Sequence, residues 1–200
     1  MRRLLSTACA LAAATLVVAT SPVRADTWVL DKQHSEIRFS WDHLGLSRKS
    51  GRFLDFDATL EFTPTDPVAG SVEVTIKVAS LQTGVKALDD HLRTPDFFNA
   101  AAHPAISFKS TGVHKTGERT GEVTGELTML GVTRPVALSA TWNFTGEYPL
   151  SSINPVYIGK WVSGFSATTR IRRSEWGLKR DTPLVSDEID IVLEVEFLRR

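Results

Sequence analysis

The chain has 200 residues, with 23 Lys and Arg balanced by 23 Asp and Glu, and a single cysteine. That is the length of one ordinary domain with a sizeable core. Zero net charge gives no basic field for gripping nucleic acid, and one cysteine builds neither an internal disulfide nor a thiolate metal cage.

In chain order, the first 25 residues read as a secretory signal peptide. Met1, Arg2 and Arg3 form a basic end, and an apolar run over 4–19 is broken only by Ser6, Thr7 and Thr15. Val23-Arg24-Ala25 then places small residues where a signal peptidase reads, so cleavage is expected after Ala25, with Ala19 as the second site. An uncleaved anchor is the alternative, since the run approaches the ~18 residues that span a bilayer. The expected organisation is therefore a leader over 1–25 and one exported domain over 26–200, periplasmic or secreted. Cys9, Arg2, Arg3 and Arg24 leave with the leader. The mature chain keeps 20 basic against 23 acidic residues, a net charge of −3, and every aromatic residue.

Beyond the leader, period-2 alternation dominates, the mark of strands with one buried face. Ile37, Phe39, Trp41 and His43 share a face, as do Phe56, Ala58, Leu60 and Phe62, and then Val72, Val74, Ile76 and Val78. Ile106 with Phe108 follows, then Val123 to Met129, Val136 to Phe144, Phe165 to Ile171, and Ile189 to Phe197. Eight such runs, punctuated by Gly, Pro, Asp and Thr, predict an antiparallel all-β domain. Such strands close into an up-and-down barrel or pack as a two-sheet sandwich, and alternation alone does not separate the two.

One stretch departs from the alternation. Over 86–102, Leu88, Leu92 and Phe97-Phe98 recur at helical spacing, and Thr94-Pro95-Asp96 predicts a second short turn of helix. This helical insertion must dock its apolar side chains on one end or side of the sheet.

Reactive motifs are scarce. The sequence has no nucleophile elbow, no phosphate-binding glycine loop and no paired-histidine helix motif. The five histidines lack the i, i+2 or i, i+4 spacing of a local metal site, so no metal is expected. His43 continues an apolar face and stands either inside an enclosure or at its rim. Arg170, Arg172 and Arg173 form a late basic group, read either as a solvated face or as holders of an anionic head group.

Taken together, these residues resemble the YceI-like family of bacterial lipocalin-like proteins that bind polyisoprenoids. The likeness runs in order from Trp28 to Phe197. It is carried by Leu30-Asp31 with His34-Ser35, by His43-Leu44-Gly45 with Gly51-x-Phe53, and by the block from Asp90 to Phe98. It continues through Ala102-His103-Pro104, Gly125-x-Leu127-Thr128, Gly131 to Val136, Gly164 to Ala167, and Arg173-Ser174-x-Trp176-Gly177-Leu178. Trp176 stands where the family pattern usually has Phe.

The resemblance implies an eight-stranded antiparallel lipocalin-like barrel with a short helical insertion near 86–102. It also implies an apolar channel holding an isoprenoid lipid, an isoprenoid quinone or a prenyl phosphate, with no required cofactor. An exported, commonly dimeric carrier, store or scavenger is expected, with a lipophilic small molecule as partner, transient membrane contact and no nucleic acid. Phe39, Trp41, Phe56, Ile76, Phe108, Met129, Leu138, Trp142 and Phe165 are the candidate channel lining. Leu88, Leu92, Phe97 and Phe98 would line or lid one end. His43, His91, Arg93, Arg170, Arg172 and Arg173 are the head-group candidates. Two rival readings remain: an enzyme acting on an isoprenoid or quinone with His43 or His91 as acid or base, and a partner-binding module whose barrel is filled by side chains.

Overall fold

A computed structural model of the chain describes residues 25–200, so the expected leader, apart from Ala25, lies outside the described residues. The strands are β1 (Asp26–Leu30), β2 (Glu36–His43), β3 (Ser47–Phe53), β4 (Phe56–Phe62), β5 (Ser71–Lys77) and β6 (Leu81–Gln82). They continue with β7 (Ala105–Lys115), β8 (Thr120–Met129), β9 (Val132–Glu147), β10 (Trp161–Arg172) and β11 (Glu188–Arg199), and the helix is α1 (Lys86–Leu92).

Six of these strands are halves of three bent staves: β1 runs into β2, β3 into β4, and β5 into β6. The result is eight staves in a meander, each antiparallel to its neighbours. β11 closes the ring. Its first half pairs with β2, placing Leu193 opposite Ile37, and its second half pairs with β1, placing Phe197 opposite Leu30. This double pairing makes a closed barrel and removes the sandwich alternative.

The bends have local causes. Between β1 and β2, Asp31 Oδ1 accepts the Gln33 N–H at 3.0 Å, an Asx turn that takes the chain out of the ladder. Ser35 then returns it, its hydroxyl accepting the Glu196 N–H at 3.0 Å. Between β3 and β4 the bend falls at Leu54 and Asp55, where the Lys77 N–H finds the Asp55 carbonyl at 2.9 Å.

β1 and β3 carry no alternation signal. β3 lies at the barrel rim, where both faces of Ser47–Ser50 meet water, and only Gly51 and Phe53 are buried. Phe39 lies directly across from Gly51, and a Cβ there would stand 2.5 Å from the Phe39 ring. The missing side chain is what admits the ring.

The insertion is shorter as helix than its spacing predicts. α1 ends at Leu92, and 93–104 is a series of non-helical turns, so the second short turn of helix expected at Thr94-Pro95-Asp96 does not form. Pro95 has no N–H to donate, and the Thr94 hydroxyl donates to the His91 carbonyl at 2.7 Å, closing the helix there. Turns held by Phe98 N to Leu92 O and Ala100 N to Arg93 O, both 3.0 Å, then deliver Phe97 and Phe98 inward. Buried Asp89 ties α1 to the end of β6 by accepting from the Thr83 N–H and hydroxyl, each at 2.6 Å.

Two belts of packed side chains hold the ends. At the helix end, Val78, Leu81, Trp176 and Leu178 are buried, and Trp176 Nε1 donates to the Leu127 carbonyl at 3.1 Å. At the far end, Trp28, Phe62 and Phe197 form a second cluster, with Trp28 Nε1 donating to the Phe62 carbonyl at 2.9 Å. Phe62 meets Trp142 and Phe165 edge-on at 5.4 and 5.3 Å.

Candidate functional site

Because side chains alternate along each stave, one face of every strand points into the barrel. The inward faces do not meet. They enclose a chamber of about 600 Å³ at the helix end and a second of about 180 Å³ toward the far end. Ile37, Val74, Phe108, Leu138 and Leu193 border both, so these five side chains form the waist between the two chambers. The larger one falls within the roughly 300–1,000 Å³ typical of small-molecule sites.

Every channel residue expected from the sequence borders this space. Phe39, Trp41, Ile76, Leu88, Leu92, Phe97, Phe98 and Met129 line the larger chamber. Phe56, Trp142 and Phe165 line the smaller one, and Phe108 and Leu138 belong to the waist. Aromatic contacts stiffen the large chamber's wall: Phe39 stacks on Trp41 at 5.8 Å, and Phe98 meets Phe53 edge-on at 6.1 Å. α1 and the turns after it thus form part of the chamber's wall as well as its cover.

The head-group candidates divide. His43 and His91 border the large chamber. His91 lies edge-on to Phe97 at 4.9 Å, and His43 sits at a β-bridge to Val185. Arg170 and Arg172 do not reach the chamber. They project from the outer face of β10, opposite inward Thr169 and Ile171, because the pleat sends alternate residues outward. Arg170 is engaged there by Asp190 at 2.5 Å and Glu188 at 3.4 Å. Its hydrogen bond, with that of Arg48, holds the Asp190 carboxyl below the usual carboxylate range. Arg93 lies behind the wall and is absent from its lining, donating to the Leu81 carbonyl and, at 3.4 Å, to Asp90.

Arg173 is a different case. It borders the large chamber, yet it is only 6% exposed, and burial pushes its guanidinium pKa down. Its three nitrogens donate to the carbonyls of Ser186, Leu178 and Val185 at 2.9, 2.9 and 3.0 Å. The guanidinium therefore staples the 177–187 loop to the barrel end, and few of its donors remain for a ligand.

Arg48, Lys49, Thr83 and Asp181 also stand at the larger chamber, with His43 and His91. Sequence reasoning missed Arg48 and Lys49 because rim strand β3 is polar on both faces. It missed Asp181 because a loop has no periodicity to read. Ile37, Val74 and Leu193 stood in the alternating runs, but nothing in one strand's pattern marks the waist of a barrel.

A family model described as YceI-like domain matches residues 28–197. A protein named UPF0312 protein from Azotobacter vinelandii (strain DJ / ATCC BAA-1303) is 35% identical over 196 residues, covering 97% of this chain and 98% of the relative. Protein YceI of Escherichia coli O157:H7 is 38% identical over 184 residues, covering 91% of each chain. Among solved structures, Burkholderia cenocepacia BcnA superposes with a TM-score of 0.72 at 26% identity, over 84% of this chain and 98% of that one. A polyisoprenoid binding domain from Saccharophagus degradans, implicated in plant cell wall breakdown, superposes with a TM-score of 0.63 at 14% identity. That alignment covers 86% of this chain and 98% of the other, a likeness of fold.

Proposed function

The chain belongs to the YceI-like family, and on that footing we propose that it is an exported carrier that holds one isoprenoid-class amphiphile inside its barrel. The observation that carries this reading is the pair of adjacent apolar chambers along the barrel axis, left open by the side chains that surround them. Sequestering such a chain requires a dry tube. Burying about ten methylene equivalents contributes about 8 kcal/mol, a gross affinity near the micromolar range before the cost of ordering a flexible tail.

The polar groups of the larger chamber suit the other end of an amphiphile. His43, Lys49, Thr83 and His91 supply donors for a quinone carbonyl or a prenyl phosphate, while the tail runs past the waist. An enzyme reading needs a titratable group held against a reacting atom. His43 and His91 stand among apolar walls whose form suits retention of a chain better than its conversion. A filled-barrel module has no support from a chamber of about 600 Å³.

The carrier reading includes export through the 1–25 leader to the periplasm and transient contact with a bilayer. Exposed Leu44 and Leu184 stand together beside the large chamber, with the Leu44 N–H bonded to the Leu184 carbonyl at 3.0 Å. Leu46 next to them is 80% exposed.

The direct test is native mass spectrometry of the protein purified from a lysate that retains its membranes. The expected spectrum shows one lipophile per chain, chemically unchanged after long incubation. A protein that repeatedly carries none overturns the carrier reading, and a converted ligand favours the enzyme.

A further inference from the structure

Where β1 bends into β2, the chain brings one imidazole and two carboxylates together against β11. A donor atom from each of Asp31, His34 and Glu196 lies within 4.8 Å of the others. His34 Nδ1 stands 2.9 Å from Asp31 Oδ2. Two bonds of ~2.05 Å at the tetrahedral angle span ~3.3 Å, so this hydrogen-bonded pair needs to open by only a few tenths of an ångström to flank an ion. Every edge of a tetrahedron has that same ~3.3 Å length, and Glu196, with its oxygen already within 4.8 Å, closes to it by a rotamer adjustment. The donors are held from behind. Asp31 is fixed by its Asx turn, and the Glu196 backbone is fixed on both sides by the Ser35 hydroxyl.

Two independent observations point to a cation here. The first is charge. Asp31 is 9% exposed, and among the described residues neither it nor Glu196 has a Lys or Arg in ion-pair contact. Lys32 is engaged by Asp55 and Asp57, and Arg199 by Asp26. Two carboxylates thus face one imidazole with no other compensation. The second is a buried phenol. Tyr148 is 5% exposed, and its hydroxyl reaches Glu196 Oε2 only at 3.5 Å, a contact at the limit of a hydrogen bond. Tyr148 stacks on Tyr157 at 3.9 Å, and both rings wall the cluster at 6.4 Å from the His34 ring.

We propose that Asp31, His34 and Glu196 bind a divalent transition-metal ion of the zinc type, with Tyr148 closing one side and water completing the coordination from the exposed side of His34. One imidazole with two carboxylates is a donor set suited to such borderline ions. This site lies outside the ligand chambers and stands apart from the carrier reading. Its position gives it a mechanical role. The ion ties the β1–β2 bend to β11, at the point where the barrel closes on itself. Coordination requires the Nδ1 lone pair, so the ion displaces the proton that His34 shares with Asp31.

The test titrates the full chain, stripped with chelator, with Zn(II) by calorimetry and with Co(II) by visible absorption and NMR. The expected result is one saturable site per chain, a rise in Tm, and at least tenfold weaker binding in both His34→Gln and Glu196→Gln. In the unmodified chain, Co(II) is expected to broaden the amide signals of residues 31–35 and 196 before any others. No saturable 1:1 binding overturns the proposal, as does binding that both variants retain. Broadening centred elsewhere on the protein overturns it even if the variants fail to fold.

Discussion

His34 shows how one side chain ties stability to pH. Its hydrogen bond to Asp31, opposed by desolvation and aided by the charges of Asp31 and Glu196, raises its pKa above 6.5. A raised folded pKa means that the protonated ring is favoured by folding. The contribution is complete below the unfolded value and is lost as pH rises through the folded one. In metal-free buffer, the urea midpoint is therefore expected to fall as pH rises from about 6 to about 8. His34→Gln is expected to flatten that segment of the curve. A slope unchanged in the variant would remove His34 as its source.

The same scale separates residues that pack from residues that line. Leu81 is wholly buried in the belt at the helix end, so Leu81→Ala is expected to cost about 2–5 kcal/mol. Leu138 faces the chambers and already borders open space. Leu138→Ala is expected to cost less, below about 2 kcal/mol, because truncation enlarges a void instead of creating one. Equilibrium denaturation of both variants checks the contrast. Sequence pattern could not make this distinction: Leu138 lies in an alternating run and Leu81 in none, and neither fact tells a packed side chain from one that lines a space. Only their neighbours decide which one is packed.

At the scale of elements, the staves were legible wherever one face meets the chamber and the other meets water, as in β2, β5 and β9. They were illegible where that contrast fails. β3 meets water on both faces at the rim, and β1 is five residues long. The insertion illustrates a second limit. Its apolar spacing correctly located side chains that reach the chamber, but Pro95 and the Thr94 side chain decide that turns, not helix, deliver Phe97 and Phe98. Gly125 on β8 carries a prediction at this scale. A Cβ there would lie 2.3 Å from Phe108 Cζ and 2.6 Å from the Lys109 carbonyl. Gly125→Ala is expected to destabilise the β7–β8 pairing by about 1–3 kcal/mol, read as a lowered Tm and faster amide exchange in those strands.

For the whole molecule, closure is the decisive fact, and no local pattern specifies it. Barrel and sandwich share the same alternation, and they part only in whether β11 returns to both β1 and β2. The arginines show the converse. Arg170 and Arg172 are settled by parity alone once β10 is placed, whereas Arg173 depends on a loop that wraps back to meet it. On the carrier reading, the ligand's tail follows the barrel axis and passes the waist. Leu138→Trp is expected to narrow that waist. Native mass spectra of lipid-loaded protein should then show shorter retained chains than in the unmodified protein. An unchanged length distribution would mean that ligand does not pass Leu138.

Open volume inside a closed ring also makes the protein responsive to hydrostatic pressure. Unfolding eliminates internal voids, so the volume change of unfolding becomes more negative as those voids grow. The ligand-free barrel, with its chambers of about 600 and 180 Å³, should therefore unfold at modest compression. A barrel whose chambers are occupied has little space left to surrender and should resist. Pressure thereby becomes a gauge of occupancy that needs no knowledge of what the occupant is.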